Sequence, residues 1–204
     1  RRRCENTNER NRRMKIFKYN DYDHYVEAQT EGNKRKITNV YVDDKVVNSI
    51  AQMKGDAKTV LCHGTRNGAE QKMFLKSFPD AEVLGTEISD TASSFPLTTQ
   101  WDFTHSKVEW EGYWDIVYSN ALDHSMSPEE TIITWRNQLS ENGRLYIDYT
   151  YEAKHTVSDA TDPLQVDREE MVAFLEGLGL EVINAKAMRQ KKSRDSVIYE
   201  AKRK

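Results

Sequence analysis

The chain has 204 residues, 37% hydrophobic and 31% charged, a composition that predicts one polar globular domain with a buried core. No apolar run approaches the ~18 residues of a membrane span, so we expect no membrane crossing. Two cysteines, Cys4 and Cys62, are too few for a disulfide framework or a zinc cluster. A cytoplasmic protein without a metal site is therefore expected.

The net charge of −3 is distributed unevenly. Residues 1–13 carry +4 and residues 185–204 carry +6, which leaves −13 on residues 14–184. Contacts with a nucleic-acid backbone need clustered cations, so this acidic body disfavours nucleic acid as a partner. The basic ends are predicted to be solvated tails, with a polyanion-binding arm as the alternative, and residues 1–13 to be a disordered leader.

Two helices are predicted before the first strand. Residues 22–36 are polar with scattered aromatics, whereas VVNSIAQM at 46–53 has a clearer amphipathic pattern. Residues 14–57 are therefore predicted to form a helical lid segment, followed by a core domain at 58–204.

Strands and helices alternate along the core domain, which predicts βαβ crossovers and a parallel sheet. The last two strands are joined by a short charged turn and must be antiparallel. The expected fold is a three-layer α/β/α sandwich with a mostly parallel seven-stranded sheet and an antiparallel C-terminal strand. The predicted strands are 58–62, 81–88, 98–103, 114–120, 144–150, 180–188 and 196–202.

Turn and capping residues predict where the helices of the core begin and end. A helix at 69–78 follows the first strand. Ser127 and Glu130 predict a capping box at the start of another helix, which Asn142-Gly143 is expected to stop. Asp167 with Glu170 predicts the start of the last helix.

Ligands of such sheets bind at the carboxyl ends of the strands, so the residues after each strand are the candidate site. The first strand leads into Gly64-Thr65-Arg66-Asn67-Gly68, whose glycines allow positive φ and close approach before a helix N-terminus. The second strand ends at Glu87, which can accept both hydroxyl protons of a ribose. The third ends at Asp102-Phe103. The Asp102 carboxylate could accept a hydrogen bond from the amino group of adenine, and Phe103 could stack on the base or meet a ring nitrogen with its backbone N–H. The fourth leads into residues 120–124, NALDH.

From about Lys58 onward, the chain resembles the class I S-adenosylmethionine (SAM)-dependent methyltransferases, in particular those that act on small molecules. VLCHGTRNG lies over the glycine-rich motif of that family, VLGTEIS over its second strand, and QWDF over its adenine-contacting turn. WDIVYSNALDHSMSPEETIITWRNQLSENGRLYI resembles its fourth-to-fifth-strand segment. The resemblance implies that SAM contacts Gly64, Thr65, Arg66, Gly68, Glu87, Ile88, Asp102, Phe103, Asn120 and Ala121.

Two positions depart from the family pattern. Cys62 stands where the family often has an acid, and Arg66 stands in place of the middle glycine. Arg66 either binds the methionine carboxylate of the cofactor directly or blocks the pocket.

The methyl group of SAM sits on a sulfonium, so transfer needs alignment and exclusion of water. A hydroxyl or amine acceptor also needs a base, for which His124 is the main candidate. Asp123 either orients His124 or is itself the base, and His124 could instead be structural. His155 is a second candidate base, in the loop YTYEAKHTVSDATDPLQ at 149–165, which could also contact the substrate. Tyr22, Tyr25 and Gln29 either line the acceptor pocket from the lid or only dock their helix.

The predicted function is methyl transfer to a hydroxyl or amine of a small molecule. A catalytically inactive SAM- or nucleoside-binding regulatory or assembly protein is the non-enzymatic alternative. A nucleic-acid methyltransferase is disfavoured because SNALD lacks the proline expected after strand four. A NAD-dependent oxidoreductase is disfavoured because the loop lacks its glycine spacing.

Overall fold

The computed structural model describes residues 14–151, 158–189 and 195–204, so the predicted leader at 1–13 lies outside them. Among these residues, no helix is both long and apolar enough to span a membrane. The α-helices are α1 (Tyr22–Arg35), α2 (Asp44–Lys54), α3 (Ala69–Ser77), α4 (Pro128–Gln138) and α5 (Arg168–Gly177). The strands are β1 (Lys15–Ile16), β2 (Thr59–His63), β3 (Glu82–Glu87), β4 (Thr98–Gln100), β5 (Trp114–Ser119), β6 (Leu139–Thr150), β7 (Leu164–Gln165), β8 (Leu180–Arg189) and β9 (Asp195–Arg203).

Seven of these strands form one sheet in the order β4-β3-β2-β5-β6-β9-β8. β2 pairs in parallel with both β3 and β5, whereas β9 is antiparallel to β6 and β8. The predicted seven-stranded sheet with one reversed strand near its C-terminal end is confirmed. Because the chain runs from β2 outward to β4 and then returns to β5, the strand order reverses beside β2, where such sheets bind ligands.

Alternate residues of the central strands face opposite layers. In β2, Leu61 joins one buried cluster while Cys62 joins the other, and in β5 the same division separates Val117 from Tyr118. One cluster includes Trp135 of α4, and the other includes residues of α2 and α3. Burial on both faces explains the crowded apolar letters of these strands and gives the three-layer sandwich.

The N-terminal segment divides between core and cover. Val46 and Ile50 of α2 are fully buried in the same cluster as Val60 of β2, so α2 belongs to a core layer rather than to a lid. In contrast, α1 lies against the segment that precedes α5, since Gln29 donates to the carbonyl oxygens of Ala160 and Thr161 at 3.3 Å. β1 pairs with β7 and ties the two segments together.

Several predicted boundaries were wrong. α4 ends at Gln138, and Asn142-Gly143 lies inside β6, close to a register shift against β5. Gly143 is required there because a Cβ would stand 2.6 Å from the carbonyl oxygen of Trp114. Ser127 and Asp167 occupy the N-cap positions of α4 and α5, but neither makes a side-chain capping bond. The third strand stops at Gln100, before the WDF turn.

Candidate cofactor and substrate site

A cavity of about 680 Å³ lies at the carboxyl ends of β2, β3 and β5, beneath α1 and residues 161–167. Gly68, Asp102 and Tyr22 do not line it, and His155 lies outside the described residues. The other predicted site residues all line it: Gly64, Thr65, Arg66, Glu87, Ile88, Phe103, Asn120, Ala121, Asp123, His124, Tyr25 and Gln29.

The loop after β2 is held close to its neighbours by backbone contacts. The amides of Gly64 and Thr65 both donate to the carbonyl oxygen of Thr86, at 2.9 and 3.0 Å. Gly64 has a φ of 72°, and a Cβ there would lie 2.5 Å from the Cβ of Ala121. Only glycine therefore allows this loop to touch the loop after β5.

Arg66 occupies the middle of the loop with a φ of 42°, in the left-handed region that favours glycine. Its guanidinium Cζ lies 4.8 Å from the ring centroid of Tyr41, within cation–π range. Its Nε is buried and has no hydrogen-bond partner among the described residues. The side chain thus lines the cavity as a cation with an unused donor.

Glu87, only 7% exposed, fastens the loop to the end of β3. Its Oε2 accepts from the amide of Arg66 at 3.1 Å, and its Oε1 accepts from the amide of Ser89 at 2.9 Å. A carboxylate offers about four acceptor positions, so two remain for the hydroxyls of a ligand.

Glu70 is a site residue that the sequence analysis missed. It lies in the first turn of α3, is 6% exposed, and lines the cavity. Burial raises the pKa of its carboxyl to about 7, although the charge of Arg66 and a hydrogen bond from Asn120 lower it. Its Oε2 has no hydrogen-bond partner among the described residues. An acid in the first turn of a helix is ordinarily explained by the helix dipole. For this reason the sequence offered no cause to propose Glu70 as a site residue.

His63 packs beside the glycine loop and is held there by structural contacts. It is buried and stacks on Trp135, with ring centroids 5.2 Å apart. Its ring nitrogens pair with Thr86 Oγ1 at 2.9 Å and Gln138 Oε1 at 2.8 Å. Burial lowers the pKa of this imidazole to about 4.

Asp102 holds α1 over the strand ends. Its Oδ2 accepts from the hydroxyl of Tyr22 at 2.9 Å, and its Oδ1 accepts from the amide of Thr104 at 2.8 Å. Burial, followed by the charge of Asp102, raises the pKa of Tyr22 to about 12, so the phenol stays a donor. Both carboxylate oxygens are thus engaged within the chain.

His124 lies in the short helical turn after β5. Its Nδ1 is 2.6 Å from the carbonyl oxygen of Thr161, to which only a protonated nitrogen can donate. The lone pair of the neutral ring is therefore on Nε2, 4.0 Å from Asp123 Oδ1. Asp162 Oδ1 lies 3.5 Å from Nδ1. The ligand atoms of His124, Asp123 and Asp162 lie within 4.8 Å of one another, close enough to share a cation.

Aromatic side chains also line the cavity. Tyr25 of α1 is 1% exposed, and burial raises the pKa of its hydroxyl. Tyr149 and Tyr151, at the end of β6, also line the cavity but were not predicted.

Searches with the sequence find no matching protein-family model and no matching curated protein. Solved structures resemble the chain at 10–15% identity. The 1,6-didemethyltoxoflavin-N1-methyltransferase of Burkholderia thailandensis, with bound S-adenosylhomocysteine, matches with a TM-score of 0.73, 12% identity and 92% of each chain covered. The geranyl diphosphate C-methyltransferase of Streptomyces coelicolor A3(2) gives 0.64 and 10% identity, over 88% of this chain and 98% of that one.

The 4+2 cyclase SpnF also matches, with a TM-score of 0.64 and 11% identity over 88% of this chain and 93% of that one. Identities this low establish the fold alone, and a shared fold does not fix the chemistry. The chain therefore has the three-layer Rossmann-like fold in which these methyltransferases and this cyclase are built.

Proposed function

We propose that this protein is a SAM-dependent methyltransferase that transfers a methyl group to a hydroxyl or amine of a small molecule. The observation that carries the proposal is a single cavity lined at the glycine loop by Arg66 and Glu87 and beyond them by His124. One end thus has groups for a charged nucleoside, and the other has a group able to take a proton.

The residues present fit SAM. Glu87 retains acceptor positions for ribose hydroxyls, and Phe103 with Ile88 offers apolar surface for adenine. Arg66 Nε is a buried donor without a partner among the described residues, and a carboxylate is its natural ligand. We infer from this that Arg66 binds the methionine carboxylate instead of blocking the pocket. Asp102 acts indirectly, because it holds α1 through Tyr22.

Bound SAM supplies an activated methyl group on its sulfonium. The protein's part is to align the acceptor, exclude water and accept the proton that the acceptor loses. His124 accepts it on Nε2, since Nδ1 is committed to the carbonyl of Thr161. The carboxylate of Asp162, 3.5 Å from Nδ1, then stabilises the imidazolium. Asp123, 4.0 Å from Nε2, can hold the acceptor or share the proton.

The cover formed by α1 and residues 161–167 supports a small acceptor. Both pieces line the same cavity, and Gln29 of α1 joins them by donating to the carbonyl oxygen of Thr161 at 3.3 Å. An aromatic enclosure of this kind excludes water and admits a molecule of limited size.

Calorimetric titration with SAM and S-adenosylhomocysteine tests the proposal. We expect one site, and Glu87→Ala should weaken S-adenosylhomocysteine binding by about 1–3 kcal/mol because a charged hydrogen-bond acceptor is lost. Glu82→Ala is the matched control, since Glu82 is an exposed residue at the start of the same strand. Absence of binding, or equal affinities in both variants, would contradict the proposed site.

Binding of SAM without methyl transfer to any of a broad panel of hydroxyl and amine acceptors would favour an inactive SAM-binding protein. The shared fold of the cyclase does not decide between the two, because it shows only that this fold also occurs in a protein named for another reaction. A methylated product identified by mass spectrometry would exclude it.

A further inference from the structure

Two residues that line the cavity beside the glycine loop each have a buried polar side-chain atom, and the two atoms are of opposite kind. Arg66 Nε is a donor, Glu70 Oε2 is an acceptor, and neither has a hydrogen-bond partner among the described residues. They do not satisfy each other, since both atoms lack a partner in the part of the chain that the structure describes, and the Arg66 guanidinium lies over the ring of Tyr41. Leaving such groups buried and unpaired is unfavourable, so their retention points to a ligand.

The ligand that satisfies both atoms carries an anion and a cation close together. An α-amino acid zwitterion has this chemistry, with a carboxylate for the guanidinium and an ammonium for the carboxylate. No other acid on β2 or α3 can take the second role. The position in β2 where an acid is expected holds Cys62, a fully buried thiol whose pKa is raised by burial and by Glu70.

We propose that Glu70 binds the α-ammonium group of the cofactor's amino acid portion, opposite the carboxylate held by Arg66. The assignment rests on the proposed function, because it requires SAM in this cavity.

The electrostatic surroundings agree with this role. Burial and the charge of Glu87 raise the pKa of Glu70, while the charge of Arg66 and the hydrogen bond from Asn120 lower it, with a result of about 7. Without a cationic ligand, the carboxyl is therefore partly protonated at neutral pH. An ammonium group brought beside Oε2 favours the ionised form, so binding near pH 7 should release a proton.

The experiment compares three ligands by calorimetry. They are S-adenosylhomocysteine, an analogue that lacks only the α-amino group, and 5′-methylthioadenosine, which lacks the whole amino acid portion. We expect the unmodified protein to bind S-adenosylhomocysteine at least tenfold more tightly than the desamino analogue. In Glu70→Gln this preference should fall below threefold, while affinity for 5′-methylthioadenosine changes little. Glu87→Gln, the control, should weaken binding of all three.

Titrations in buffers of different ionisation enthalpy supply a second readout. At pH 7 the unmodified protein should release a fraction of a proton on binding S-adenosylhomocysteine, and Glu70→Gln should release less. If Glu70→Gln keeps the full preference for the amino group, the role of Glu70 is overturned while the SAM site stands. If the unmodified protein binds none of the three ligands, the proposed function itself is overturned. Should Glu70→Gln fail to fold, equal affinity of the unmodified protein for the first two ligands overturns the inference.

Discussion

The imidazole of His124 donates from Nδ1 to the carbonyl oxygen of Thr161, across 2.6 Å and 37 residues of sequence. This bond joins the turn after β5 to the segment that covers the cavity. It also selects the neutral tautomer in which Nε2 carries no proton. The proposed base and the segment that covers it are thus positioned by one contact.

The tautomer of His124 can be measured without knowing the methyl acceptor. We expect ¹⁵N NMR at pH 8 to show His124 protonated on Nδ1 and unprotonated on Nε2, because only that form can donate to Thr161. The opposite tautomer would contradict the proposed geometry.

Replacement of His124 should separate chemistry from binding. With any acceptor that supports turnover, His124→Asn should lower kcat roughly 10²–10⁴-fold, the range typical of a lost general base. The affinity for S-adenosylhomocysteine should stay within about threefold, because His124 is not assigned to the cofactor. His105→Asn is the matched control, since His105 is exposed and does not line the cavity. A normal kcat in His124→Asn would leave the imidazole a structural role.

The lowered pKa of His63 predicts that the protein loses stability in acid. Its pKa is lowered to about 4 in the folded chain, against 6.5 when unfolded. The unfolded chain therefore binds the extra proton first, and stability present above pH 6.5 is lost as the pH falls toward 4. The His63 contribution to this loss should be on the order of 3 kcal/mol. Urea unfolding of the unmodified chain and His63→Gln checks it, and equal pH slopes in the two would contradict the lowered pKa.

The raised pKa of Glu70 predicts the opposite dependence of stability on pH. Its pKa is raised from 4.5 to about 7, so the folded chain holds the proton longer, and stability falls as the pH rises from 4.5 through 7. Glu70→Gln cannot ionise and should be the more stable protein at pH 8, by on the order of 3 kcal/mol before relaxation of Arg66, Glu87 and Asn120. The difference should vanish near pH 4.5. Glu82→Gln, at an exposed residue, should show no such pH dependence. A Glu70→Gln chain less stable than the unmodified one at pH 8 would refute this prediction.

Two glycines should respond differently to alanine. A Cβ at Gly85 would overlap the side-chain amide of Gln71 and lie 2.8 Å from Thr65 Oγ1, atoms that hydrogen-bond each other at 3.0 Å. Gly85→Ala should lower the free energy of unfolding by about 1–3 kcal/mol, as expected for overpacking. Gly177→Ala, in α5 with open space around it, should raise it by up to about 1 kcal/mol. Thermal unfolding of the pair checks the contrast, and equal shifts would contradict it.

The parallel sheet and its reversed strand could be predicted because strand and helix patterns alternate, and the short final turn allows one pairing. Glu87 and His124 could be proposed because Glu87 ends one strand and His124 follows another, and strand ends meet at one edge of a parallel sheet. The bond from His124 to Thr161 could not, since its acceptor is a main-chain atom that any residue would provide. The unused acceptor of Glu70 could not either, because its significance comes from burial. The role of Gly143 was wrongly predicted because it also depends on a tertiary contact. The glycine was expected to stop a helix, but it allows β6 to approach β5 closely.

A crystal structure with S-adenosylhomocysteine is the sharpest test of whether this cavity binds SAM. We predict that the ribose hydroxyls will contact Glu87, the α-carboxylate Arg66 and the α-ammonium Glu70, with the sulfur open toward His124. A cavity closed by the Arg66 guanidinium at saturating ligand, or a ligand bound elsewhere on the chain, would show that this cavity is not the SAM site.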